Sequence, residues 1–158
     1  MPYPEQMVAP MRAELVEMGV QPFLVASSII GIVAQRLVRV ICPICKEPYP
    51  RDTGILKTIL REDGHPDESV VAYHGVGCDQ CKFTGYQGRT TIIELMNMDD
   101  EIRELVNENV PTSRLNQIAR EKGMIPLRED GLRKVIEGIT TLEEVNRVVE
   151  LKTYSQMG

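Results

Sequence analysis

Residues 42–54, CPICKEPYPRDTG, and residues 76–89, VGCDQCKFTGYQGR, decide the fold of this chain. They contain the 4 cysteines of the sequence, arranged as two pairs with two residues between the members of each pair. Each pair places its thiols at the two ends of a tight turn, and two such turns brought together form a tetrahedral sulfur cage. Structural zinc prefers that environment, and four thiolates leave no coordination position open for water. We therefore predict a structural zinc site formed by Cys42, Cys45, Cys78 and Cys81.

Two disulfides and a thioredoxin-like redox pair are the alternatives for these cysteines. Disulfide frameworks belong mainly to secreted chains, and the start MPYPEQMVAP lacks the basic residues and apolar run of a signal peptide. A redox pair needs a βαβ setting, and two such motifs in one chain would be unusual. His65 and His74 lie between the pairs, where we expect surface residues because four cysteines already satisfy a zinc ion.

Composition limits the class of protein. The 158 residues suggest one ordinary domain or two small ones, and 42% apolar with 4% aromatic residues predicts a mainly aliphatic core. The net charge of −5 disfavours a nucleic-acid binder, which usually needs a clustered basic face. The longest apolar stretch, PFLVASSIIGIVA, is too short to span a membrane, so we expect a cytoplasmic protein.

The first part of the chain has helix and strand signals. The pattern predicts a short helix over residues 11–18 that stops at Gly19, then a brief strand over 21–25. Ser27 or Ser28 could cap a second helix that reaches residue 37, whereas residues 37–41 fit either a helix end or a buried strand. A further helix beginning at residue 52 or 53, and strands over 70–74 and 89–96, complete this part.

From residue 99 onward the pattern is helical. We predict four short helices, opened by Asp99 or Asp100, by Thr112 or Ser113, near residue 129, and by the capping box Thr141-Leu142-Glu143-Glu144. We expect Glu143 and Glu144 to cap this last helix and to be solvated. The predicted fold class is therefore α+β.

Three segments together are typical of one family: ELVEMGVQPFLVASSIIGIVAQRLVRVICPICKEPY, GCDQCKFTGYQGRTTIIELMNMDDEIRELV and LREDGLRKVIEGITTLEEVNRVV. They resemble the C-terminal region of the type II secretion and type IV pilus assembly ATPases, from about residue 10 to about residue 150. The resemblance implies three parts: the end of a RecA-like core (1–41), a zinc-binding module with a return strand (42–96) and a C-terminal helical domain (97–158). It also places zinc on the four cysteines.

The resemblance implies a part of a ring-forming, usually hexameric motor. Its expected partners are the other motor subunits and an inner-membrane platform protein, with peripheral membrane association through them and no nucleic acid. ATP and magnesium would be used only by the full-length protein, because this chain has no G-x-x-x-x-G-K-[ST] loop to cradle phosphates. We expect a fragment that does not hydrolyse ATP alone and that supports ring assembly or partner docking.

Some alternatives stay open at this point. Arg36 and Arg89 could reach the nucleotide of a neighbouring subunit, or could be surface arginines that pair with Glu94 or an aspartate. The chain could instead be a free-standing zinc-ribbon module that binds nucleic acid or protein. A metal-dependent enzyme is disfavoured, because a closed four-thiolate site has no accompanying acid or base motif.

Overall fold

A computed structural model describes residues 14–157 as a mixture of helices and two small sheets. The strands are β1 (Gly31–Ile41), β2 (Lys46–Pro48), β3 (Tyr73–Gly75) and β4 (Tyr86–Asn97). The helices are α1 (Pro22–Ser28), α2 (Pro50–Glu62), α3 (Asp100–Asn107), α4 (Thr112–Glu121), α5 (Leu127–Ile136), α6 (Leu142–Val149) and α7 (Lys152–Met157), and residues 14–17 are also helical. The α+β class is confirmed.

Both sheets have two antiparallel strands. In the first, β1 pairs with β4, and hydrogen bonds from Met98 to Ile30 and from Cys42 to Gly85 mark its two ends. In the second, β2 pairs with β3 in the register Lys46↔Gly75, Glu47↔His74 and Pro48↔Tyr73. The end of β1 and the start of β2 thus bracket the first cysteine pair.

The prediction for residues 21–37 is wrong, because strand and helix are exchanged. Residues 21–25 are not a strand: α1 begins at Pro22, whose fixed φ and missing N–H suit the first turn of a helix. Residues 31–37 are not a helix but part of β1, in which buried and exposed positions partly alternate. Apolar residues lie on both faces of this strand, so its two-residue period is hidden in the sequence.

Other predicted elements are confirmed with shifted ends. The strand predicted over 70–74 is shortened to Tyr73–Gly75, and the helix predicted from residue 52 or 53 begins at Pro50. The caps Asp99 and Thr141 are confirmed, since each side chain accepts a hydrogen bond from the backbone N–H three residues later. The start of the first predicted helix, at residues 11–13, lies outside the described residues.

The chain forms two compact units. The first contains residues up to Gln35 together with Ile93–Pro126, and the second contains Arg36–Ile92 together with the residues from Leu127 onward. The three-part division predicted from the sequence, at residues 41 and 96, stays a prediction.

The first unit packs α1, α3 and α4 against the adjoining ends of β1 and β4. Arg103 of α3 donates hydrogen bonds to the carbonyls of Ala26 (3.1 Å) and Ile29 (3.2 Å), so it satisfies the C-terminal end of α1. The buried core is aliphatic: Ala26, Ile32, Met96, Met98, Ile102, Val106, Leu115, Ile118, Ala119 and Met124.

The second unit holds the cysteines and the C-terminal helices. Helix α5 packs on α6, and α7 packs on both α2 and α6. Gly131 of α5 permits a close approach, because a Cβ added there would lie 2.7 Å from Cγ1 of Val145. Fully buried side chains include Val38, Leu56, Ile59, Ile92, Val135, Leu142, Val145 and Leu151. Within residues 14–157, no helix has the length and apolar character that crossing a membrane requires.

Candidate metal centre

The four cysteines that the sequence predicts as ligands come together. Their Sγ atoms all lie within 4.8 Å of one another. Three of the six sulfur–sulfur distances are 3.9 Å from Cys42 to Cys78, 3.8 Å from Cys45 to Cys81, and 3.8 Å from Cys78 to Cys81. A tetrahedron of sulfurs at the usual Zn–S distance of about 2.3 Å has edges of about 3.8 Å. The cluster therefore has the size of a zinc site, and all four cysteines are free thiols rather than disulfides.

The first pair is placed by strand ends. Cys42 follows β1, and its N–H donates to the carbonyl of Gly85 at 2.9 Å. Cys45 precedes β2; its carbonyl accepts from Val76, and its sulfur accepts from the N–H of Gly77 at 3.3 Å. The β2–β3 pairing therefore brings the approach to the second pair next to Cys45.

The second pair is placed by a short 3₁₀ turn, Asp79–Cys81, which Cys78 caps. The sulfur of Cys81 accepts backbone N–H groups from Cys78 at 3.3 Å and from Gly85 at 3.2 Å. Lys82 follows in the left-handed region at φ 53°, which turns the chain back toward β4. Backbone N–H donors to sulfur stabilise thiolate charge, as in the surroundings of bound metals.

A glycine contact brings the two pairs together. A Cβ added to Gly75 at the end of β3 would lie 2.1 Å from the carbonyl oxygen of Gly85, which itself has φ +78°. Only residues without a side chain allow this backbone approach. The sequence GYQG at residues 85–88 predicted a turn, but nothing in the sequence indicated that Gly85 contacts Gly75.

Proton affinity differs among the thiols. Burial opposes ionisation of Cys81, but the N–H groups of Cys78 and Gly85 outweigh it and lower the pKa of this thiol to about 6. Burial raises the pKa of Cys45 to about 12, against the opposing effect of Gly77. At neutral pH Cys81 is thus more readily present than Cys45 as a thiolate, which is the form that binds metal.

The two histidines between the pairs lie elsewhere. His74 stacks on Tyr49, with ring centroids 4.1 Å apart, and its Nε2 lies 3.2 Å from a carboxylate oxygen of Glu47. His65 is exposed just after α2. Among residues 14–157, the grouping of possible metal ligands contains cysteines only.

A second polar cluster was not anticipated from the sequence. Glu144 is fully buried, which corrects the expectation that it is solvated, whereas Glu143 is exposed. The carboxylate of Glu144 accepts hydrogen bonds from the backbone N–H of Arg39 at 2.7 Å and from the Arg39 guanidinium at 3.0 and 2.9 Å. Arg147 adds bonds of 3.3 and 3.1 Å. Thr141 caps the backbone N–H of Glu144, but the side chain of Glu144 does not cap the helix as predicted, because the fold directs it to Arg39 of β1 and to Arg147.

These arginines keep Glu144 ionised. Burial alone would raise the pKa of the carboxyl group, but the hydrogen bonds from Arg147 and Arg39 outweigh it, so the pKa is lower than usual. Arg39 also lies over the ring of Tyr86, with 4.1 Å from Cζ to the ring centroid. The cluster thereby joins β1, the start of β4 and α6 within the second unit.

Of the two arginines considered for nucleotide contact, Arg36 is half-buried and Arg89 is exposed. Arg89 forms no ion pair with any residue in the described range 14–157. Glu94, the partner considered for it, is buried in β4.

Comparison with known proteins places the cluster in a family context. The family model described as "Type II/IV secretion system protein" matches residues 7–147. The chain is 46% identical over 134 residues to type II secretion system protein E of Pseudomonas aeruginosa, and 43% identical over 134 residues to type II secretion system ATPase E of Vibrio cholerae. Each match covers 85% of this chain and 26% of the relative.

A pilus protein is equally similar. The chain is 44% identical over 129 residues to the type IV pilus assembly ATPase PilB of Thermus thermophilus, which covers 82% of this chain and 14% of PilB. The chain thus spans about a quarter or less of the length of these relatives. The resemblance inferred from the sequence is confirmed.

Proposed function

The chain belongs to the family of type II/IV secretion system proteins, and on that premise we propose that it is the zinc-binding C-terminal part of a secretion or pilus assembly motor. The observation that carries this proposal is the cluster of four thiols inside the segment that matches the family. The ATP hydrolysis implied by the names of the relatives would reside in parts of the motor other than this chain.

Zinc fits the donor set. The sulfur–sulfur distances of 3.8–3.9 Å agree with a tetrahedral four-thiolate site, and three backbone N–H groups donate to its sulfurs. Cys42, Cys45, Cys78 and Cys81 would hold the ion. When bound, it would supply a rigid link between the end of β1 and the start of β4, with no open position for catalysis.

The positions of the cysteines support a mechanical role. Strand β1 leads into Cys42, and β4 starts five residues after Cys81. Fixing these four thiols would therefore fix the ends of β1 and β4 that lie in the second unit. We expect zinc to keep this module rigid enough to transmit motion or to support contacts with neighbouring motor subunits.

An exposed apolar sheet face supports the proposal that β1 and β4 include the edge of a RecA-like core. In the first unit, Val33, Ile93 and Leu95 are exposed on these strands. A two-stranded sheet is marginal by itself, and contiguous exposed apolar groups commonly mark an interface. The remaining three-quarters of the relatives' length would include the elements that cover this face.

We also propose the expected partners and location: a cytoplasmic protein, peripheral at the inner membrane when assembled with other motor subunits and a platform protein. This rests on the similarity to relatives that are named as secretion and pilus assembly ATPases. Binding of the purified chain to the cytoplasmic domain of a platform protein, by pull-down, tests the docking role.

The zinc proposal is tested by native mass spectrometry of the purified chain. One zinc ion per chain is expected, and Cys78→Ser should lose it along with a large part of the thermal stability. Gln80→Ser is the matched control, because Gln80 is exposed within the same turn and offers no ligand atom to the cluster. An intact fold without metal, or equal zinc content in both variants, would refute the proposal.

The ATPase assay is a separate test. The purified chain should show no turnover above background with magnesium and ATP. Clear turnover that persists after removal of contaminating enzymes would show that a nucleotide site exists in this part of the motor.

A further inference from the structure

A cleft with three arginines lies in the second unit, and none of the four cysteines lines it. It has a volume of about 420 Å³ and is lined by Leu37, Val38, Arg39, Arg89 and Arg147. This volume is within the range of small-molecule sites, roughly 300–1,000 Å³. These lining residues have no role in the proposed zinc site.

Two of the guanidinium groups are held in fixed positions. The carboxylate of Glu144 binds Nε and Nη2 of both Arg39 and Arg147 at distances of 2.9–3.3 Å. Arg147 also donates through Nη2 to the carbonyl of Leu37 at 3.2 Å, and Arg39 lies over Tyr86. Held groups lose little side-chain entropy when a ligand arrives, so the site is pre-organised.

All three arginines still have N–H groups that can donate hydrogen bonds to a ligand. Within residues 14–157, Nη1 of Arg39 and Nη1 of Arg147 have no hydrogen-bond partner, and Arg89 has no ion pair. The side chains of Arg39 and Arg147 are 45% and 55% exposed, so these donors are accessible to a ligand in the cleft.

The charge balance indicates the kind of ligand. Three guanidinium groups against the one carboxylate of Glu144 leave two positive charges, and the exposed Glu143 acts on Arg39 only as a minor influence. A single carboxylate would neutralise one of these charges. A phosphomonoester carries about −1.5 to −2 at pH 7 and has three strong acceptor oxygens, which arginine binds in a bidentate manner.

We propose that the cleft of Leu37, Arg39, Arg89 and Arg147 binds a phosphomonoester group. Arg89 closes on the phosphate from β4, while Arg39 and Arg147 present their free Nη1 donors. Leu37, which is about half exposed, offers an apolar wall for the organic part of the ligand. The same chemistry is available from a soluble organic phosphate or from the headgroup of phosphatidic acid.

The test follows the arginine Nε–Hε signals of the full ¹⁵N-labelled chain by NMR. Glycerol 3-phosphate should cause saturable shifts of a small set of these signals, whereas glycerol should cause none. Arg89→Ala should weaken the apparent Kd by roughly tenfold, as expected for loss of charge-assisted hydrogen bonds. This variant should keep the melting temperature, because Arg89 has no ion-pair partner in the described residues.

Lys152→Ala is the matched control, since it removes one exposed positive charge that does not line the cleft. Vesicles of phosphatidylcholine with and without phosphatidic acid form the second arm. Arg89-dependent binding to glycerol 3-phosphate supports a soluble source, and Arg89-dependent binding to phosphatidic acid alone supports a lipid source. The absence of saturable binding in both arms, or equal weakening by Arg89→Ala and Lys152→Ala, would overturn the proposal.

Discussion

Replacing Glu144 by glutamine tests whether the buried carboxylate holds β1 against α6. The side chain of Glu144 is 0% exposed and accepts five hydrogen bonds from Arg39 and Arg147. Glutamine keeps the shape but removes the charge, and its NH₂ group would face guanidinium donors. Loss of one member of a buried ion pair costs roughly 3–5 kcal/mol.

The expected cost here is at or below the lower end of that range. Both arginines are about half exposed, so water can solvate them once the carboxylate is gone. We therefore expect Glu144→Gln to lower the free energy of unfolding by about 2–3 kcal/mol. This corresponds to a decrease in melting temperature of roughly 4–12 °C for a chain of this size. Circular dichroism during thermal and urea unfolding at neutral pH measures both quantities.

Acid should remove the difference between wild type and variant. The folded-state pKa of Glu144 is below its ordinary value of 4.5, so its contribution is fully present above that value. The contribution is lost as the pH falls through the lower, folded-state pKa. The gap in melting temperature should therefore be widest at neutral pH and shrink in acid below the ordinary pKa.

The exposed neighbour provides the control. Glu143→Gln removes the same charge from the same helical turn and should change the free energy of unfolding by no more than about 0.5 kcal/mol. If both variants unfold alike at neutral pH, the buried carboxylate does not stabilise the fold in the way described.

Two further substitutions, each with a control variant, test the close approach of Gly75 to Gly85 and the helix cap at Thr141. Gly75→Ala places a Cβ 2.1 Å from the carbonyl oxygen of Gly85, so we expect the free energy of unfolding to fall by at least about 3 kcal/mol. The zinc content should fall as well. Thermal unfolding and metal analysis measure the two effects. Gly54→Ala, in open space on a helix, should stabilise by up to about 1 kcal/mol, and similar effects of the two changes would contradict the clash. Thr141→Val should lower the free energy of unfolding, measured in urea, by about 1–2 kcal/mol because the N–H of Glu144 loses its cap. Thr141→Ser keeps the hydroxyl and should keep most of the stability. Equal losses in the two variants would count against a capping role.

The thiol cluster shows how far local sequence signals reach. Two residues between the cysteines of each pair dictate a tight turn, and this chemistry is independent of the rest of the fold. The sequence therefore predicted which four side chains meet, and the sulfur–sulfur distances agree. Two of the predicted caps, Asp99 and Thr141, accept from the N–H groups three residues later. The others were wrong: Ser27 and Ser28 lie at the end of a helix, and the helices that begin at Pro50 and Thr112 have no side-chain cap.

Residues 21–37 show where such signals fail. Helix and strand were exchanged because Pro22 suits both an extended segment and the first turn of a helix. In β1, exposed Val33 and Leu37 lie between buried residues, so the apolar pattern has no clear period. Pairing with β4 stabilises the strand, and that contact joins residues far apart in the chain.

The sequence by itself indicated which four cysteines meet, the family, and the presence of the four helices between residues 99 and 150, because each depends on short spacings or on residue identities in order. Tertiary structure alone decided the strand at Gly31–Ile41, the glycine contact between Gly75 and Gly85, and the burial of Glu144. These features depend on residues that are distant in sequence. Glu144 shows the reason most clearly: its identity and spacing indicate a helix cap, but only the packing of α6 against β1 brings Arg39 to a carboxylate that Arg147 of the same helix also binds.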